Sequence, residues 1–187
     1  MKPRMKPASL AAASKLGGTL TALLFLASCA QLGQLDPFGT KDATLSTPIA
    51  PAEIEWSRKS GANTVGGTAA QKSGDTRHTC AGQSANLVPD SAYARARMKA
   101  IFGNETRGTR AASLGPVKFE KDDPLYVSTL RTTRCDVSGS FTFPRVPDGI
   151  WYATSSVKWQ NGSQTEGGSM MQRVDVRGGR LVKVTLP

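Results

Sequence analysis

The feature that most constrains this chain is a run of alternating side chains near its C-terminus. Trp151, Ala153, Ser155, Val157 and Trp159 fall at every second position, so in an extended backbone they share one face. A period of two carrying bulky aromatics describes a strand with one face on a core. The turn that precedes it, Pro147-Asp148-Gly149, has a mechanism: proline presets φ and glycine permits positive φ.

The same period recurs along the chain. Val65, Gly67 and Ala69 alternate with Thr64, Gly66 and Thr68. Ala85 and Leu87 make a short strand stopped at Pro89, and Phe141 and Phe143 alternate with Ser140 and Thr142. The stretch 126–133, rich in β-branched and aromatic residues, reads as a further strand. Val174 and Val176 lead into Arg177-Gly178-Gly179-Arg180, which reads as a hairpin turn, with Val182, Val184 and Leu186 returning. About seven short strands separated by turns predict a mainly β protein, a sandwich or barrel.

One short helix is expected. Asp90 or Ser91 can cap it, Ala94, Met98, Ile101 and Phe102 follow helical spacing, and Gly103 can end it. Residues 103–124 read as an exposed loop carrying Arg107, Arg110, Lys118 and Lys121. A body over 62–187 is long enough for one core and not two.

The N-terminal segment is of another kind. Lys2, Arg4, Lys6 and Lys15 precede an apolar run centred on Leu20, Leu23, Leu24, Phe25 and Leu26, and no acid stands among them. That is the layout of an export signal, too short for a transmembrane helix. It closes on Leu26-Ala27-Ser28-Cys29, which resembles the lipobox of bacterial lipoprotein signal peptides. The resemblance implies cleavage after residue 28 and a diacylglycerol on the Cys29 sulfur. With Ala30 and no aspartate next, it implies default sorting to the outer membrane, facing the periplasm. An ordinary signal cleaved after Ala27 or Ala30 is the alternative. Residues 29–61, with Gly33, Pro37, Gly39, Pro48, Pro51 and Gly61, read as a lipidated N-terminus and flexible linker. Ile54 and Trp56 interrupt its polar pattern and can dock on the body.

Four of the 24 basic residues lie before Cys29, leaving 20 against 14 acidic, a net of +6 rather than +10. That balance suits anionic surfaces such as lipid head groups or cell-wall polymers, and equally a merely solvated face. Nucleic acid is not an expected partner of an exported protein. With Cys29 assigned to lipid, Cys80 and Cys135 remain as an even pair in an oxidising compartment and are expected to form a disulfide. Two free thiols or a metal site are the alternatives, and the lone His78 leaves a metal site short of ligands.

The stretch from Cys135-Asp136-Val137-Ser138-Gly139 through Phe141, Phe143 and Pro147-Asp148-Gly149 to Trp151 resembles the carboxypeptidase regulatory-like domain. Cys80-Ala81-Gly82, Leu87-x-Pro89 and Tyr93 resemble uncharacterised proteobacterial lipoproteins that carry it. The resemblance implies a seven-stranded transthyretin-like or immunoglobulin-like β-sandwich with no catalytic residues of its own. The long 90–124 segment and the cysteine pair depart from the family.

An enzyme needs convergent reactive groups. His78 as a base would need Ser84 or Ser91 and an orienting Asp75 or Asp90, and no Gly-x-Ser-x-Gly turn accompanies either serine. Asp136 and Asp148 sit in turns, where aspartate bonds backbone. The expectation is therefore a non-catalytic, lipid-anchored envelope protein with a structural or protein-interaction module and no cofactor or metal. The alternative is a module for cell-wall or surface glycan, or a small hydrolase using His78. Trp159 and the basic run Arg95, Arg97 and Lys99 are the candidate contacts for a ligand or partner.

Overall fold

The computed structural model describes residues 41–187 except 44 and 46; the signal segment and Cys29 lie outside them. The described body is mainly β, as expected, but its two large sheets alone hold eight strands rather than seven. A five-stranded antiparallel sheet has the order β6 (Arg107–Ala111), β11 (Gln164–Val176), β10 (Gly149–Asn161), β5 (Ser84–Pro89), β8 (Arg131–Arg134). A three-stranded sheet has the order β12 (Leu181–Thr185), β2 (Asn63–Thr68), β9 (Ser140–Val146). Two small ribbons complete the strands: β3 (Ala70–Ser73) with β4 (Thr76–Thr79), and β1 (Lys41–Ala43) with β7 (Val117–Phe119).

The inner faces of the two large sheets meet in one core. Val65, Phe141, Phe143, Val146 and Val184 come from the smaller sheet, and Leu87, Trp151, Ala153, Val157, Met170 and Val176 from the larger. Of the sandwich or barrel that the period-two pattern predicts, this is the sandwich. The disulfide between Cys80 and Cys135 is buried in the same core, with Cα atoms 5.7 Å apart. It joins the end of β4 to the end of β8, just before the chain turns into β9 of the other sheet.

A second core lies on the opposite face of the larger sheet. Val88, Tyr152 and Met171 point outward there and are covered by Tyr93, Ala94 and Met98 of α2 (Ala92–Phe102) and by Tyr126 of α3 (Pro124–Thr129). The α2 boundaries follow the expected signals. Ser91 Oγ accepts from Ala94 N at 3.0 Å, and Gly103 adopts φ 70°.

Several expectations are corrected. Among the described residues one helix becomes three α segments plus two 3₁₀ turns, because short helices with few apolar positions leave little periodicity. The stretch 126–133 is a strand only from Arg131. Asp123 accepts from Leu125 N and Pro124 occupies the first turn, so helix wins over the β-branched residues at 127 and 129. The loop expected over 103–124 contains β6 and β7. β6 is a sheet edge without a buried face, so it shows no apolar alternation. The turn at 177–180 is not a hairpin between neighbours: β12 pairs in parallel with β2, so these glycines carry the chain from one sheet to the other. The tight hairpin lies instead at Gly162-Ser163, between Asn161 and Gln164.

Part of the stretch read as linker belongs to the body. Ile49 and Ile54 are buried in the second core, the latter from α1 (Pro51–Ile54). Trp56, in the following 3₁₀ turn, meets Trp151 edge to face with ring centroids 5.1 Å apart. Its six-membered ring occupies the space where a Cβ at Gly149 would sit. The Arg131 guanidinium holds the carbonyls of Ser57 and Lys59, both at 2.9 Å. Glu53 Oε1 accepts from Ala92 N at the start of α2.

Two outcomes are expected from this architecture. Ile54→Ala lowers unfolding free energy by about 3 kcal/mol in urea titration, the cost of a core truncation, where a true linker residue would be neutral. Replacing Cys80 and Cys135 together by alanine lowers it by about 4 kcal/mol, given the 55-residue separation that the bridge closes.

Candidate functional site

The strands β10 and β11 are 13 residues long, about 43 Å of extended chain, whereas the 11-residue α2 spans about 16 Å. The helix therefore cannot cover the whole outer face of the sheet. The sequence changes where the cover ends. Along β10 the outward positions run Tyr152, Thr154, Ser156, Lys158, and along β11 they run Met171, Ser169. The apolar members lie under the helices, and the hydroxyl-bearing members lie beyond them.

This edge is a cleft of about 350 Å³. Its floor is Ser84 and Asn86 of β5, Thr154 and Ser156 of β10, and Ser169 of β11. Its wall is Met98, Ile101 and Phe102 of α2. Among the described residues, the hydroxyls of Thr154, Ser156 and Ser169 have no protein hydrogen-bond partner, and Asn86 Oδ1 accepts from Thr132 Oγ1 at 2.8 Å. The cleft thus offers donors and acceptors on one side and apolar carbon on the other.

Arg97 closes one end. Its guanidinium pairs with Asp122 and lies 3.9 Å from the Phe119 ring centroid and 4.7 Å from that of Tyr126. Cation–π contacts on two rings hold it in place. Burial pushes the Tyr126 hydroxyl up to about 12 against the opposing pull of Arg97, so it stays protonated and able to donate.

The other expected contacts lie elsewhere. Arg95 pairs with Asp90 at 2.9 Å and with Glu53 at 3.9 Å, which joins the N-terminal segment to α2. Lys99 pairs with Glu105 at 3.6 Å. Trp151 is wholly buried, while Trp159 is half-buried at the far end of the same strand face. One face of Trp159 stacks on His78 with centroids 4.0 Å apart, and its N–H donates to Glu166 Oε2. A Cβ at Gly167 would come 2.7 Å from its ring.

Of the residues considered for a hydrolase, Asp90 and Ser91 stand apart from His78. Asp90 N bonds Ile150 O, while His78 stacks on Trp159 nine residues further along β10, about 30 Å away. Asp90 is engaged by Arg95 and Arg173, and Ser91 caps α2. Asp136 accepts from the Ser138 hydroxyl and from Ser138 N and Ser140 N, which hold its carboxyl below the usual range. Asp148 instead accepts from Asn63 Nδ2 at 2.8 Å. Among the described residues no group of three His, Cys, Asp or Glu side chains is placed to hold a metal ion.

No protein-family model matches the chain, and no curated protein matches it. Among solved structures it is similar to a putative carbohydrate binding protein from Pseudomonas aeruginosa, with a TM-score of 0.63 at 24% identity, covering 75% of this chain and 97% of that one. A likeness at that identity speaks to the fold: a mainly β body built on two facing sheets.

Burial also pushes the Tyr152 hydroxyl up to about 12. Both groups are neutral in folded and unfolded chains below pH 10. Above it the unfolded chain loses its protons first, so stability falls as pH rises from about 10 to about 12. Two of the three tyrosines are expected to titrate near 12 by tyrosinate absorbance, and Tyr126→Phe should remove one of them and flatten the alkaline decline.

Proposed function

We propose that this chain is a non-catalytic, lipid-anchored glycan-binding protein of the cell envelope, and that the cleft beside α2 is its binding site. The observation that carries this is the pairing of free hydroxyls on the sheet floor with an apolar helical wall. Sugars present the same two chemistries, hydroxyls at the rim and C–H groups on the ring faces. Small-ligand sites are generally concave and mostly apolar with a few placed polar groups. The similar fold of a putative carbohydrate binding protein supports the same reading without fixing a ligand.

The anchor and location rest on the Leu26-Ala27-Ser28-Cys29 motif. The Cys80–Cys135 disulfide supports export, because such bonds persist in oxidising compartments. Among the described residues no helix is long and apolar enough to cross a membrane. We assign the fold to the transthyretin-like class. Gly139 at φ 80° beside the Asp136 turn, Phe141 and Phe143 on the core face and Gly149 at φ 153° fit that assignment.

Cys29→Ser should abolish metabolic labelling with an alkyne fatty acid and shift the protein to soluble fractions; retained label would refute the anchor. For the site, the purified full chain should be retained on a polysaccharide panel that includes peptidoglycan. Ser156→Trp, which fills the floor, should weaken retention about tenfold or more, roughly 1.4 kcal/mol. Retention unchanged by Ser156→Trp would place the site elsewhere, and no retention at all would remove the proposal.

A further inference from the structure

A second cleft, also about 350 Å³, adjoins the first. The two share Arg97, Ile101 and Ser169, so they lie side by side on the outer face of the sheet. The second part adds Arg110 of β6 and Lys158 of β10, with Phe119 and Pro116 on its far side. Among the described residues no carboxylate lines either part.

The three cations are not equivalent. Arg97 is already paired with Asp122. Arg110 donates through Nε to Gly115 O at 3.0 Å and through Nη2 to Leu114 O at 2.8 Å. Carbonyl acceptors orient a guanidinium but do not neutralise it, and three of its five N–H donors remain. Lys158 is exposed and has no ion pair among the described residues. An oriented guanidinium and an open ammonium thus stand beside a floor of hydroxyls.

From this we infer that the ligand is an acidic glycan: neutral hydroxyls engage the first cleft while anionic groups along the chain engage Arg110 and Lys158 in the second. The inference rests on the glycan reading and adds the sign of the ligand's charge. An anionic membrane is the other surface that three cations could meet. It fits less well, because the cations lie in a depression walled by α2 and the 115–119 segment rather than on a flat face.

The test uses the purified full chain and fluorescent hexuronate oligomers, compared with the same oligomers methyl-esterified on every carboxyl. The acid form should bind at least about tenfold more tightly at low salt, and the gap should narrow as salt screens exposed charge. Lys158→Gln should lose several-fold affinity for the acid form only. Arg110→Gln with Lys158→Gln should bring acid and ester to the same affinity. Lys158→Gln serves as the independent check, because Arg110 also braces the 114–115 turn. Equal binding of acid and ester by the native chain, or a preference that survives the double variant, overturns the charge inference and leaves glycan binding standing. Binding of neither form, together with no retention on any panel member, overturns both. Capture of the Cys29→Ser chain by phosphatidylglycerol vesicles but not by phosphatidylcholine vesicles, undisplaced by the oligomers, overturns it in favour of a membrane surface.

Discussion

The unbroken pairing of β10 with β11 is the constraint on which the rest depends. Thirteen consecutive residues on each strand are in register, from Gly149 opposite Val176 to Asn161 opposite Gln164. Because alternate side chains leave opposite faces, one ladder fixes two surfaces at once. Inward, Trp151, Ala153 and Val157 with Met170, Val174 and Val176 build the sandwich core. Outward, Tyr152 and Met171 seat the helices, and Thr154, Ser156 and Ser169 make the cleft floor. A one-residue slip would exchange core and site, so the burial of the inner face also holds the site in place.

The helical layer is attached by a different chemistry. Its apolar contacts are supplemented by ion pairs and caps at its margins: Glu53 on the N-terminus of α2, Arg95 and Arg173 on Asp90, and Asp123 accepting from Ile49 N at 2.9 Å. The segment 49–59 takes part in two of these, through Glu53 and Ile49, and Arg131 ties it to β8. The 49–59 segment is thus a brace between the sheet end at Trp151 and the helices that wall the cleft. Its burial explains why glycine stands at 149: the Trp56 ring fills the space that any side chain there would need.

The inner half of this fold was legible in the sequence, and the outer half was not. Trp151 through Trp159, Phe141 with Phe143, and Val182 with Val184 announce themselves because apolar residues at alternate positions are improbable outside a core-facing strand. The cysteine pair is legible from redox chemistry. The brace is harder to see, because Ile49, Ile54 and Trp56 follow neither a helical nor a strand period. α3 is masked by the β-branched Val127 and Thr129, whose preference yields to Asp123 and Pro124 at the helix start. The direction of the chain after Gly179 is invisible locally, since two glycines permit a hairpin or a crossing alike and only the pairing of β12 with β2 decides. The cleft floor is least legible: Ser84 and Asn86 come from β5, Thr154, Ser156 and Ser169 from the β10–β11 hairpin far along the chain, and serine and threonine are ordinary on solvent-facing positions. The usable signal was in β10, where the second face passes from Tyr152 to Thr154 and Ser156.

Arg97 joins these parts, and its role follows from its neighbours. It rises from α2, reaches across to Phe119 of β7 and Tyr126 of α3, and pairs with Asp122 in the connection between them. With most of its charge answered by Asp122, it contributes less to attracting an anion than Arg110 or Lys158 does. What it fixes is the relative position of the α2 wall, β7 and α3, each of which borders part of the depression. The floor cannot shift without breaking the central ladder, whereas the wall is held by side-chain contacts that cost far less to rearrange. Any adjustment of the cleft to a ligand should therefore occur on the helical side, with Arg97 as the joint about which it moves.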